Sequence, residues 1–189
     1  NPDWIDIKAI KVIGNIGFGT QQQIIDGIIK ASDLGADVIS MSLGGITNQK
    51  REKAYNDAVK YANDKGAIVV VAAGNANLDG KRYSPANADN VITVASIQKN
   101  YQKSGFSNHV QNLKMGVCAP GENILSTTPS NTYTAMNGTS MATPQVAGLI
   151  SIMKALRPEL TTSEVYGILN RTGKTTSDNQ KTGKLIQPY

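Results

Sequence analysis

Residues 67–73, "AIVVVAA", are apolar at every position. A strand with one face in water alternates polar and apolar residues. A strand apolar throughout is covered on both faces, as the central strands of parallel sheets are. Such a strand needs a layer of helices on each side. The neighbouring sequence supplies them. "TQQQIIDGIIKASDLG" (20–35) places Ile24, Ile25, Ile28 and Ile29 on one helical face and stops at Gly35. "ADVISMSL" (36–43) is a strand closed by Gly44 and Gly45. "QKREKAYNDAVKYANDKG" (49–66) gathers Ala54, Tyr55, Ala58, Val59 and Ala62 on one face and ends at Gly66. "IDIKAIKVI" (5–13) alternates and is β-branched, which predicts a further strand ahead of the first helix. Strand, helix, strand, helix, strand is the order of a parallel α/β sheet.

Beyond it, "NVITVASI" (90–97) reads as a strand. The stretch 98–136 is short-segmented and turn-rich, with strands expected in "NLKMGVCAPG" and "NILSTT". A long helix is predicted from about Thr139 to Leu156, closed by Arg157 and Pro158, and a last helix behind a capping box at Thr161–Glu164. The tail "KTTSDNQKTGKLIQPY" reads as loop. With 189 residues, no repeat and no linker, the chain is expected to form part of a single domain.

Composition excludes several functions. The formal charge is +5, but the basic residues are dispersed, and "QKREK" (49–53) reads as a solvated helix start rather than a nucleic-acid patch. Two Phe and one Trp are too few for a platform that stacks bases. No nucleic-acid partner is expected. Cys118 is alone, which rules out an intrachain disulfide or a zinc cluster, and "GVCAPG" reads as a buried apolar stretch. No apolar run approaches membrane-spanning length and no signal-peptide pattern is present, so no membrane partner is expected. The glycines at 14, 17 and 19 lack the spacing of a dinucleotide fingerprint and read as a loop. The chain opens with Asn1 rather than an initiator methionine, which suggests a fragment or one chain of a processed protein.

Three strand or helix ends carry candidate chemistry. "VVVAAGNAN" (69–77) ends a buried strand at Gly74 and Asn75. Ligands in α/β sheets bind beyond such carboxyl ends. Asn75 there either donates its amide to a developing oxyanion or caps a turn. "SMSLGG" (40–45) ends a second strand at the same edge, either as backbone open to an extended peptide or as a plain turn. In "NGTSMATPQVAG" (137–148), Ser140 sits among small residues where a helix starts. Unpaired N–H groups at a helix start stabilise developing negative charge, as acyl transfer requires. Ser140 as a simple N-cap, and Asn137-Gly138-Thr139 as a glycosylation sequon, are the alternatives.

"NGTSMATPQVAGLISIM" resembles the nucleophile motif of the subtilisin-like serine proteases. "VISMSLGG" and "VVVAAGN" resemble two preceding blocks of that family, in the family's order, and "YSPANADNVITVAS", "FSN" and "APGENILST" resemble proteinase-K-type members. The resemblance implies a three-layer α/β/α fold with a parallel sheet flanked by helices. Residues 1–189 would be the C-terminal part of one catalytic domain, incomplete without an N-terminal segment. It implies a serine endopeptidase with Ser140 as acyl-enzyme nucleophile and Asn75 as side-chain oxyanion donor, partnered by the Ser140 N–H. Ser42, Leu43, Gly44 and Gly45 would pair with substrate backbone and wall the P1 pocket. Ala72, Ala73 and Gly74 would form its other wall, and Tyr83, near its floor, would either shorten it in favour of small or medium P1 residues or swing aside.

The family order of Asp, then His, then Ser places two triad members upstream of "IKAIKVI", where this sequence begins. His109 lies in the "FSNHV" loop and reads as a surface histidine, and Gln145 stands where relatives often have histidine. A serine without a base is a poor nucleophile. This chain alone is therefore expected to be nearly inactive and unstable, with its Asp and His on a partner segment. A protease-like scaffold that binds peptides without cutting them is the alternative. Calcium occurs in the family, but the matching site near Asp89 and Val91 lacks its carboxylate, Gly116 taking that place. No cofactor or metal is expected in this chain. An inhibitory propeptide and an extracellular or cell-surface location are implied by the resemblance alone.

Overall fold

A computed structural model describes residues 5–15 and 17–188. The opening "NPDW" and Ile16 of the 14–19 loop lie outside the described residues. In chain order the elements are α1 (Gln21–Asp33), β1 (Val38–Met41), β2 (Gly45–Ile46), α2 (Gln49–Asp64), β3 (Ile68–Ala72), β4 (Tyr83–Ser84), β5 (Val91–Ile97), β6 (Gly116–Pro120), β7 (Ile124–Thr128), β8 (Thr132–Met136), α3 (Thr139–Leu156), α4 (Thr162–Thr172), α5 (Asn179–Thr182) and β9 (Lys184–Leu185). The main sheet runs β1-β3-β5-β6-β9 and every pairing in it is parallel.

β3 is buried at all five positions and explains the layering. Val69 and Val71 face Ile28 and Ala31 of α1 and Tyr55, Ala58, Val59 and Ala62 of α2. Ile68 and Val70 face Ala142, Val146 and Ile150 of α3 and Val165 and Leu169 of α4. Each buried valine contributes about 1.5–3 kcal/mol. The result is a three-layer α/β/α fold, as expected. The helices begin on local signals. Thr20 and Gln23 cap α1 reciprocally, Asn48 accepts from the Arg51 N–H ahead of α2, and Thr161 and Glu164 form the capping box of α4. The basic run at the start of α2 lies on its solvated side, where Lys53–Asp57 and Lys60–Asp64 are (i, i+4) ion pairs.

Two sequence expectations are corrected. Residues 5–13 form no strand. Ile10 packs on the α1–α2 side of the core, but the segment makes no ladder with β1. Alternation selects a face; only a hydrogen-bonded neighbour makes a strand. The tail is not loop throughout. α5 leads into β9, which pairs with β6 through Val117↔Lys184 and Cys118↔Leu185 and covers the cluster around Cys118. β7 falls in the expected strand "NILSTT", but its pairing, and a second small antiparallel pair, are not foreseen from the sequence. β2 pairs with β4, and β7 with β8 around a turn at 129–131 in which Ser130 and Asn131 have positive φ.

Candidate active site

The carboxyl ends of β1 and β3 and the first turn of α3 converge on a cleft of about 260 Å³. Ser42, Leu43, Gly44, Ala72, Ala73, Gly74, Asn75, Tyr83 and Ser140 all line it. Gly45 does not; it belongs to β2, where it pairs with Ser84. Thr139, which the sequence did not single out, lines the cleft as well.

Thr139 organises the donors. Its N–H and its hydroxyl both donate to Asn75 Oδ1 at 2.9 Å, and its hydroxyl accepts from the Gly74 N–H at 3.2 Å. With the carbonyl end of Asn75 held, its Nδ2 is left to the cleft. The Ser140 N–H lies in the first turn of α3, where no intrahelical acceptor exists. A single position, that of a Cβ built on Gly138, is 3.5 Å from Asn75 Nδ2 and 3.5 Å from Ser140 N. The two donors therefore lie within reach of one point beside Gly138, at the positive end of the α3 dipole. Close backbone approach builds this corner. The Gly138 N–H donates to Gly121 O at 2.8 Å, and a Cβ on Gly121 would come within 2.6 Å of Gly138 O.

Ser140 is tied to β1 rather than to a base. Its hydroxyl donates to Ser42 O at a long 3.4 Å, while the Ser42 hydroxyl donates to Ser140 O at 2.8 Å. His109 is a partly exposed residue outside the cleft. Its Nε2 lies 3.1 Å from Asn77 Oδ1, its N–H donates to Leu78 O, and it takes no part in lining the cleft. Burial, then the nearby Lys103 and Lys181, pushes its imidazole below the ordinary value. Gln145 donates to Pro120 O and to Met141 O. Cys118 is buried away from the cleft and its thiol is pushed up to about 12 by burial, which removes it as a nucleophile.

Asp89 lies at the place that the resemblance compares with the family's calcium site. Its carboxylate is paired with Lys114 Nζ at 2.7 Å, and the side of Gly116 that a carboxylate would occupy is filled by Val110. Among the described residues no three His, Cys, Asp or Glu converge as metal ligands. None of the described helices is long and apolar enough to cross a membrane.

The profile of the Subtilase family matches residues 4–185. The chain is 40% identical over 183 residues to subtilisin DY of Bacillus licheniformis, covering 95% of this chain and 65% of that protein. It is 45% identical over 147 residues to thermitase of Thermoactinomyces vulgaris, covering 78% of this chain and 50% of that protein. Among solved structures, a cold-adapted subtilisin-like serine proteinase superposes with a TM-score of 0.85 at 33% identity, covering 95% of this chain and 65% of that one. A protease of Pseudoalteromonas arctica gives the same TM-score, 0.85, at 32% identity, covering 94% and 59%. The chain thus spans between half and two thirds of the length of these relatives.

Proposed function

The chain belongs to the subtilase family, and from that premise we propose that it is the Ser140-bearing part of a serine endopeptidase. Its base and orienting carboxylate would be supplied by an upstream segment. The observation that carries the reading is that Asn75, with its Nδ2 unclaimed, and Ser140, with its first-turn N–H, line one cleft and lie 3.5 Å from one point. A peptide would lie extended against Ser42–Gly44 with its P1 side chain in the cleft walled by Ala72–Gly74 and limited by Tyr83. Ser140 Oγ attacks the carbonyl carbon as its proton passes to the imidazole of the upstream segment. The carbonyl oxygen becomes an oxyanion and takes hydrogen bonds from Asn75 Nδ2 and Ser140 N. The imidazolium returns the proton to the leaving amine, the C–N bond breaks, and an acyl ester on Ser140 remains. Water, deprotonated by the same imidazole, then cleaves the ester. Action outside the cell belongs to the same proposal.

Among the described residues the Ser140 hydroxyl meets only the Ser42 carbonyl, which accepts a hydrogen bond but takes no proton at neutral pH. The test is labelling by a fluorophosphonate, read by intact mass under denaturing conditions, with and without a His-bearing upstream polypeptide. Labelling that needs the second polypeptide and is abolished by Ser140→Ala supports the proposal. An unlabelled Ser140 in the assembled protein, with peptide still bound, would replace it with a non-cleaving peptide-binding scaffold.

A further inference from the structure

We propose that Asn108 is a positioning residue that sets where Asn75 presents its amide; the inference rests on the endopeptidase reading and adds a residue to it. Asn108 is fully buried, in the loop after β5. Its Nδ2 donates to Ala73 O at 2.8 Å, and its Oδ1 accepts from the N–H groups of Ala76 at 3.0 Å and Leu78 at 2.9 Å. Its own N–H donates to Gly74 O at 2.9 Å. These four bonds fall on both sides of Asn75 and none on Asn75 itself. Thr139 holds the tip of the Asn75 side chain; Asn108 holds the backbone from which that side chain springs.

The fit between clamp and loop is close. Gly74 has φ +100°, and a Cβ there would approach Asn108 Nδ2 to 2.5 Å. Other ties keep the loop folded without the clamp. Asn77 N donates to Phe106 O, His109 N to Leu78 O, and Gly80 N to His109 O. Loss of the Asn108 amide therefore frees the stretch 73–76 locally and lets Asn75 drift from the oxyanion. A misplaced donor costs transition-state stabilisation rather than substrate binding. Asparagine alone among residues of this size donates to one backbone carbonyl and accepts from two N–H groups. Aspartate keeps the two acceptances and loses the donation; alanine loses all three.

The experiment is a double-mutant cycle on the chain joined to its upstream segment, measuring kcat and KM on a tetrapeptide p-nitroanilide for wild type, Asn108→Ala, Asn75→Ala and the double variant. Asn108→Ala is expected to lower kcat about 10–30-fold with KM within about twofold, and to lower kcat less than about threefold once Asn75 is alanine. Equal factors in both backgrounds, or a loss confined to KM, overturn the assignment. If Asn108→Ala does not fold, Asn108→Asp takes its place in the cycle, with the same disappearance expected in the Asn75→Ala background. A wild-type assembly without turnover overturns the proposed function and this inference together. Wild-type turnover with additive losses overturns this inference alone.

Discussion

A Cβ at Gly138 would lie 3.5 Å from both proposed oxyanion donors, Asn75 Nδ2 and Ser140 N, at a φ of +159° that side chains rarely adopt, so Gly138→Ala disturbs the space proposed for the substrate oxygen. In the assembled enzyme the substitution is expected to lower kcat about as much as Asn75→Ala does, roughly 10²–10³-fold, the loss measured for such a donor in a relative within this family. A kcat within threefold of wild type would show that the oxygen docks elsewhere. His109 yields a pH prediction. Burial first, then Lys103 and Lys181, holds its imidazole low, opposed by Asp178 and Asp79. A depressed histidine binds its proton more readily unfolded than folded. Its stabilising contribution is present above about 6.5, the ordinary value, and is lost as pH falls through the lower folded value. Nuclear magnetic resonance titration should find the His109 midpoint below that of a denatured control. A midpoint at or above the control contradicts the burial argument.

Among the elements, α3 does two jobs from its two ends. Its first turn presents Ser140. Near its last turn, Lys154 is buried and donates to Gly66 O, Leu160 O and Pro158 O. That ammonium ties α3 to the loop before β3 and to the segment before α4. Lys154→Met keeps the aliphatic stem and leaves three carbonyls without their donor, so it should cost about 2–3 kcal/mol in urea unfolding. A loss under about 0.5 kcal/mol would mean that water satisfies those carbonyls. β3 and α1 to α4 were legible in the sequence because local signals define them: an unbroken apolar run, helical spacing, and capping pairs. β9 was not, because it is two residues long and exists only through its register with β6. Residues 5–13 failed the other way, alternating like a strand without a partner. Ser140 and Asn75 were legible through their neighbours. Asn108 was not, since its three acceptors and donors lie 30 to 35 residues away, at 73, 76 and 78.

For the whole molecule, the outer edge of β1, unpaired among the described residues, and exposed apolar side chains are what the proposed upstream segment would cover. Ile7 is 87% exposed, Phe18 80% and Leu125 71%. Surfaces of this kind are covered in stable proteins or lead to association. The isolated chain is expected to bind a hydrophobic dye and to gain at least about 10 °C in Tm with its upstream segment, a gain of the size mass action gives a tight partner. A cooperative, dye-silent melt of the isolated chain, unchanged by that segment, would contradict this. The docking of β9 has a temporal meaning as well. Leu185 packs against Cys118, and the thiol donates to Gly183 O at 3.6 Å. Together with Ala73, Ala95 and Val110, the docked β9 therefore closes over the thiol. Of the five strands in the described sheet, β9 is the one that follows all the others in sequence. Cys118 thus reports on the docking of β9: during refolding, a thiol reagent added at intervals should modify it until this cover has formed.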